Sequence, residues 1–125
     1  MARILLIEDD KYVSLLCQEQ LTQDGHTVIP VFDAASAIVT CSLAKPDLIV
    51  MEHLGVQDDV QFLHSLQNVN GHVPIVLHTG YPVHDHLTDW AAAAIVRKSS
   101  DLRELRTTVT RLLASEGAQQ RPDSA

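Results

Sequence analysis

Five short apolar runs alternate with longer amphipathic stretches along this chain, and that alternation limits its fold more than any other feature. The runs are the predicted strands, at residues 3–7, 27–31, 48–51, 74–78 and 93–97. Runs 48–51 and 74–78 are apolar without alternation, which is typical of parallel strands covered on both faces. Pro30 predicts that the second strand lies at an edge of the sheet.

The stretches between the strands carry apolar residues at helical spacing. The predicted helices cover residues 11–24, 34–44, 59–67, 85–93 and 101–115. Gly25 is suited to end the first helix and Asp33 to begin the second. Ser100 or Asp101 is suited to begin the last. A strand–helix unit repeated five times predicts an α/β fold, with a five-stranded parallel sheet and helices on both faces.

Length and charge narrow the classes of function. The chain has 125 residues, which predicts one domain over residues 1–116, followed by a polar tail or linker at 117–125. The formal net charge of −7 argues against a nucleic-acid-binding surface and against an anionic membrane. No apolar run is long enough to span a membrane, and acids follow the start too soon for a signal peptide. We therefore expect a cytoplasmic protein, in which Cys17 and Cys41 are reduced thiols of the core.

Polar residues end or directly follow four of the predicted strands. They are, in chain order, Glu8, Asp9, Asp10, Glu52, His78, Thr79, Arg97 and Lys98. Ligands in such folds bind at the carboxyl ends of the strands, so these side chains are expected to converge. Carboxylate oxygens suit a hard cation such as magnesium, and a hydroxyl with an ammonium group suits the oxygens of a phosphoryl group. The alternative, that loops are simply polar, explains any one of these residues more easily than all four strand ends.

These residues and the runs before them resemble the CheY-like receiver domain of two-component response regulators, over about residues 3–115. The matching motifs are Glu8-Asp9 in ILLIEDD, Glu52 after PDLIVM, Thr79 in PIVLHTGY and Lys98 in AAIVRKSSDLREL. The resemblance implies a flavodoxin-like, doubly wound sheet with strand order 2-1-3-4-5. It also implies a signalling module rather than an enzyme, with a sensor histidine kinase or another signalling protein as its partner.

Glu52 departs from the family pattern, because an aspartate normally accepts the phosphoryl group at its position. The glutamate is one methylene longer, and in-line transfer depends on positioning, where about 1 Å of displacement costs roughly a hundredfold in rate. We therefore expect little or no phosphorylation, and signalling by protein–protein contact. Three interpretations of Glu52 stay open. It mimics part of the phosphorylated state, it is a neutral relic, or it is an engineered change. The alternative function is a conventional phosphoacceptor receiver of a phosphorelay. A magnesium-dependent phosphatase is a third hypothesis, for which no second nucleophile–acid arrangement is present.

Other positions near the site also depart from the family. The loop at 54–60, LGVQDDV, lacks the usual proline and final glycine, which puts a backbone metal ligand near Leu54 in doubt. Ser99 replaces the proline that normally follows the lysine, and Ile95 stands where an aromatic switch residue is usual. Two arrangements remain open for the acidic pocket. Either the three carboxylates of Glu8, Asp9 and Glu52 hold a magnesium or calcium ion weakly, or Lys98 neutralises them directly.

The face made by the predicted helix 85–93, the fifth strand and the last helix is the usual partner or dimer face of this family. On resemblance, its contact residues here are Trp90, Ala91, Arg97 and Arg103. A homodimer through this face is one expectation.

The chain also carries seven histidines. A transition-metal site or a pH switch is one interpretation of those near the predicted site, His53, His78, His84 and His86. Scattered surface histidines are the interpretation that we favour.

Overall fold

The computed structural model describes residues 2–52, 56–71, 73–80, 92–99 and 101–120 of the chain. Its strands are β1 (Arg3–Ile7), β2 (Thr27–Val31), β3 (Leu48–Glu52), β4 (Ile75–Thr79) and β5 (Ala92–Arg97). The helices among these residues are α1 (Lys11–Gln23), α2 (Ala34–Ala44), α3 (Val56–Asn70) and α4 (Arg103–Gln120). Most of the helix predicted over 85–93 lies outside the described residues, and its last two positions belong to β5.

The five strands form one parallel sheet in the order β2-β1-β3-β4-β5. This confirms the predicted flavodoxin-like order 2-1-3-4-5. Pro30 lies on β2, which is an edge strand as predicted, and stands opposite Leu6 of β1. Because all the strands run the same way, their carboxyl ends lie along a single edge of the sheet.

Helices cover both faces of the sheet, and each face has its own core. On one face α2 and α3 pack against the strands, with Ala37, Cys41, Leu63 and Leu66 fully buried. On the other face α1 and α4 pack against the strands, with Cys17, Leu21 and Val109 fully buried. The two cysteines are therefore core thiols, as predicted, and burial raises the pKa of Cys17 to about 11.

Aspartate side chains begin α1 and α2, and both of these helices start at the predicted residue. The Asp10 carboxylate accepts the backbone N–H groups of Tyr12 and Val13 at 2.9 and 3.1 Å, which starts α1. The Asp33 carboxylate accepts the N–H of Ser36 at 2.8 Å, which starts α2. Gly25 follows α1 with a φ of +95°, the left-handed region in which glycine is favoured.

The last helix begins and ends somewhat differently from the prediction. The Asp101 carboxylate accepts the N–H of Arg103 at 3.0 Å, while Ser100 lies outside the described residues. The helix continues to Gln120 rather than 115, because the sequence ASEGAQQ after residue 113 consists mostly of good helix formers. The division between domain and tail at residues 116 and 117 stays a prediction.

A bidentate ion pair joins α4 to α1 on the outside of the second core. The Arg106 guanidinium donates to both carboxylate oxygens of Asp24 at 2.9 and 2.6 Å and to Gln20 Oε1 at 2.8 Å. No helix among the described residues is both long and apolar enough to cross a membrane.

Replacing Leu63 by alanine tests the core beneath α3. Leu63 is fully buried, so Leu63→Ala is expected to lower the free energy of unfolding by about 2–5 kcal/mol, because it leaves a cavity. Leu15 on α1 is 57% exposed, so Leu15→Ala is expected to change that free energy by about 0.5 kcal/mol or less. Urea unfolding of both variants measures the difference, and similar losses in the two would contradict the packing described.

Candidate functional site

The parallel register brings groups from distant parts of the chain to one edge of the sheet. β1 and β3 are neighbours, so Glu8, directly after β1, and Glu52, the last residue of β3, reach this edge side by side. Lys98 directly follows β5, and its backbone N–H donates to the carbonyl of Thr79 at 2.7 Å. This bond ties the lysine to the end of β4. The predicted convergence of Glu8, Glu52, Thr79 and Lys98 at one edge is therefore present.

Lys98 joins two carboxylates from different strands. Its Nζ lies 3.0 Å from Glu8 Oε1 and donates a hydrogen bond to Glu52 Oε1. The side chain of Glu8 is only 1% exposed, so its charge depends on this partner. The second oxygen of Glu8, Oε2, accepts the backbone N–H of Asp10 at 3.1 Å. Both oxygens of the buried carboxylate are thereby paired.

Asp9 completes a cluster of three acids. One oxygen from each of Glu8, Asp9 and Glu52 lies within 4.8 Å of the other two. Burial, followed by the hydrogen bond with Asp9, raises the pKa of Glu52 to about 7, although Lys98 acts in the opposite direction. The same bond with Glu52 lowers the pKa of Asp9. The two interacting carboxyl groups therefore have pKa values moved apart, upwards for Glu52 and downwards for Asp9.

Three carboxylate oxygens at this spacing form a donor set that fits a hard divalent cation. Lys98 contacts two of the same carboxylates. A bound cation and direct neutralisation by Lys98, the two arrangements left open by the sequence, therefore concern the same oxygens. Burial disfavours the ammonium, but the hydrogen bonds that it donates to Glu52 and Glu8 outweigh this effect and raise the pKa of Lys98. The lysine thus stays charged and neutralises part of the acidic cluster.

Thr79 and His78 end β4 next to these groups. Thr79 is fully buried and is tied through its carbonyl to Lys98. His78 stands opposite Glu52 on β3 and Val96 on β5, and only 2% of it is exposed. Neither of its ring nitrogens has a hydrogen-bond partner among the described residues. Burial and then the charge of Lys98 lower the pKa of His78 to about 4, so the imidazole is neutral.

This burial corrects the interpretation of the histidines as surface groups. His78 lies on a central strand that is covered on both faces, so its side chain has no access to water. The apolar run that ends in His78 was the signal that could have revealed this, since PIVLH continues the strand. His64 on α3 is exposed, as the interpretation expected. His53, His84 and His86 lie outside the described residues.

The predicted partner face is described only in part. Arg97 on β5 and Arg103 on α4 are both exposed, whereas Trp90 and Ala91 lie outside the described residues.

Two of the positions that depart from the family pattern, Ser99 and Ile95, are among the described residues. Ser99, after Lys98, donates a hydrogen bond from its hydroxyl to the carbonyl of Asp101. Ile95 packs, partly buried, against the core under α2 and α3. Leu54 lies outside the described residues.

Two curated proteins are related to this chain in sequence, although no family model matches it. It is 34% identical over 111 residues to the circadian input-output histidine kinase CikA of Synechococcus elongatus, covering 85% of this chain and 14% of that protein. It is 30% identical over 120 residues to the transcriptional regulatory protein PrrA of Mycobacterium leprae, covering 93% of this chain and 52% of that protein.

Solved structures of response regulators share the whole fold. The N-terminal domain of a response regulator/sensory box/GGDEF three-domain protein from Carboxydothermus hydrogenoformans is 28% identical, with a TM-score of 0.79, over 94% of this chain and 98% of that one. The response regulator TrrA from Thermotoga maritima, in complex with Mg²⁺-BeF, is 24% identical, with a TM-score of 0.79, over 90% of this chain and 99% of that one.

The chain belongs to the CheY-like receiver domains of response regulators. This confirms the family that its strand-end motifs resemble, and it places the receiver in two-component signalling. The receiver spans about 14% and 52% of the two curated relatives that it matches.

The Glu52 carboxyl of this receiver is expected to titrate near pH 7 in the folded protein, because burial and the neighbouring acids oppose its charge. Since the folded pKa is raised, this group's contribution to stability is complete below its ordinary pKa of 4.5 and is lost as the pH rises to about 7. A carboxyl-detected NMR titration measures the pKa, with Glu52→Gln to assign the signal. A Glu52 titration at its ordinary value would contradict the description of the cluster.

His78 is expected to make the receiver acid-sensitive. Its pKa is lowered from 6.5 to about 4, so between these two pH values the imidazole is protonated in the unfolded chain and neutral in the folded one. Stability is therefore lost as the pH falls from 6.5 towards 4, by about 3 kcal/mol in all. His78→Val is expected to remove this loss, and the exposed His64→Val to retain it. Urea unfolding at pH 7 and pH 4.5 tests both, and an equal pH dependence in all three proteins would refute the assignment.

Proposed function

We propose that this receiver signals through contact with a protein partner and does not accept a phosphoryl group. The observation that carries the proposal is the hydrogen bond from Lys98 to the Glu52 carboxylate. In the family, the aspartate at this position attacks a phosphoryl donor, and the lysine holds the oxygens of that donor. Here the lysine is bonded to the acceptor carboxylate and to Glu8 instead.

The protonation of Glu52 supports the same conclusion. With a pKa raised to about 7, a large part of the Glu52 carboxyl is protonated at neutral pH and is then a poor nucleophile. Its extra methylene also displaces the carboxylate from the place that a shorter side chain would take. Phosphoryl transfer depends on alignment, so each of these differences lowers the rate.

The contact between Glu52 and Lys98 also supports partial mimicry of the phosphorylated state. In its ionised fraction, the Glu52 carboxylate offers the lysine one charge and two oxygens, against nearly two charges and three oxygens for a phosphoryl group. We infer a fixed signalling state, in which the site holds the ends of β1, β3 and β5 together without a phosphoryl donor. Such a module acts as a signalling protein rather than as an enzyme.

Magnesium is the cation that this site would take, with Glu8, Asp9 and Glu52 each offering one oxygen. When bound, the ion would add positive charge that stabilises phosphoryl oxygens. Because Lys98 already neutralises part of the cluster, binding is expected to be weak. The structurally similar TrrA is in complex with Mg²⁺-BeF, which supports magnesium as the ion to test.

The partner that we propose is a sensor histidine kinase or another signalling protein of the cytoplasm. One of the curated relatives is a histidine kinase and the other a transcriptional regulatory protein, which supports a role beside such domains. The exposed Arg97 and Arg103 lie on the proposed partner face, together with Trp90 and Ala91 outside the described residues. A homodimer through that face, and the absence of nucleic-acid binding by this acidic segment, remain predictions.

Beryllofluoride and acetyl phosphate, each with Mg²⁺, test the proposal directly. The protein is expected to show no phosphoryl adduct by intact mass and no large amide NMR shifts beyond those from Mg²⁺ alone. Glu52→Asp is the positive control, because it restores the shorter carboxylate, and Glu52→Asn is the negative control. We expect an adduct in the aspartate variant, at least about a hundredfold faster than any trace in the parent protein.

Each outcome separates the alternatives. A labile adduct on the parent protein would overturn the proposal and favour a conventional phosphoacceptor receiver. A response in Glu52→Asp alone would mean that Glu52 is the reason why the parent protein forms no phosphoryl adduct. Silence in both proteins would mean that the changes at Ser99 and in the 54–60 loop also disable the site. A Mg²⁺ titration followed by the same amide signals, repeated with Glu52→Asn, tests whether Glu52 contributes to the metal site.

A further inference from the structure

α2 has an apolar outer face that the described part of the chain leaves in solvent. The helix, AASAIVTCSLA, carries no charged side chain. Val39 is 59% exposed and Leu43 is 80% exposed, and Phe32 just before the helix is 44% exposed. Ala37 and Cys41 on the opposite side are fully buried in the core. A helix that is apolar on both sides is usually covered on both, which points to a partner for the outer side.

Val39 is the middle residue of the helix and lies on its exposed side. If two copies of α2 pack antiparallel around a two-fold axis at Val39, residues at equal distances from it lie opposite each other. Leu43 of one copy then faces Ala35 of the other, and Ser36 faces Ser42. A large side chain thus meets a small one, and the serines leave room for the two helix axes to approach closely. The pattern fits a second copy of the same helix.

Charges at the two ends of α2 are complementary in the same arrangement. Asp33 precedes the helix and Lys45 follows it, each six positions from Val39. The guanidinium of Arg3 lies at the Lys45 end, where it donates to the carbonyl of Ala44 at 2.8 Å. In an antiparallel pair, Asp33 of each copy comes beside Lys45 of the other, and the helix dipoles are also opposed. Most other contacts between two chains of net charge −7 would be repulsive.

We propose that α2 is the contact through which two copies of this chain form a two-fold symmetric homodimer. One helix pair buries less than about 1,200 Å² in total, so the dimer is weak and exchanges readily. The contact lies on the other face of the sheet from α1 and α4, and it differs from the Arg97 and Arg103 surface. It stands independently of whether Glu52 accepts a phosphoryl group.

Analytical ultracentrifugation from micromolar to near-millimolar concentration, on the full 125-residue chain, tests the proposal. The parent protein is expected to pass from monomer to dimer over this range. Leu43→Glu places an acid opposite Ala35 and near Asp33 of the other copy, and it is expected to weaken the dimer at least about tenfold. Leu15→Glu is the matched control, since it replaces an exposed helical leucine on α1 and changes the charge equally. It is expected to leave the dissociation constant within about twofold of the parent value.

A cross-linking measurement locates the axis. Val39→Cys places two thiols at the two-fold axis, so mild oxidation is expected to give a disulfide-linked dimer much faster than Leu15→Cys does. The native Cys17 and Cys41 are fully buried and do not compete.

Three results would overturn the proposal. The first is a parent protein that stays monomeric, with no preference for cross-linking at Val39. The second is a dimer that Leu43→Glu leaves intact and Arg103→Glu abolishes, which would place the contact on the α4 side. The third is a dimer that is weakened equally by Leu43→Glu and Leu15→Glu, which would reflect net charge alone. Loss in Leu43→Glu only, together with fast cross-linking at Val39, would support it.

Discussion

The ammonium group of Lys98 is the contact on which the site depends. It pairs with Glu8, whose side chain is almost fully buried, and with Glu52 on a neighbouring strand. A buried carboxylate without a partner is costly, so β1 and β3 bring their acids together only because β5 delivers a cation. The lysine thereby links residues 8, 52 and 98, which lie far apart in the chain. It is also why the acids are partly neutralised without a metal ion.

The site is connected to the helices by short polar contacts. Glu8 accepts the N–H of Asp10, and the Asp10 carboxylate in turn begins α1. The far end of α1 is held to α4 through the ion pair of Asp24 with Arg106. A change in the charge of the acidic cluster is therefore felt first at the start of α1.

Most of the fold follows from the pattern of the sequence, for reasons visible in single residues. Unbroken apolar runs predicted central strands because both faces of this sheet are covered, and Pro30 predicted an edge because it has no N–H to donate. The positions of Glu8, Glu52, Thr79 and Lys98 followed from the rule that parallel strands end along one edge.

The sequence left the contacts among those residues open between a bound cation and direct neutralisation by Lys98, because a pattern gives the end of a strand but not the direction of a long side chain. The pairing of Lys98 with both acids and the opposite pKa shifts of Asp9 and Glu52 depend on distances of a few ångströms. The burial of His78 was likewise missed, since a polar residue at the end of a run suggests the surface. The sequence did not show that Glu8 is buried whereas its neighbours Asp9 and Asp10 are exposed.

Pro30 also limits how this protein can associate with others. β2 is an open edge of the sheet, and such edges recruit further strands and seed aggregates when every backbone group on them is free to pair. A proline as the fourth residue of this five-residue strand interrupts that row of donors. Growth of the sheet by strand addition is therefore disfavoured on this side. On this side the molecule is left to meet its partners through side chains, where recognition is more selective than the backbone-to-backbone pairing of strands.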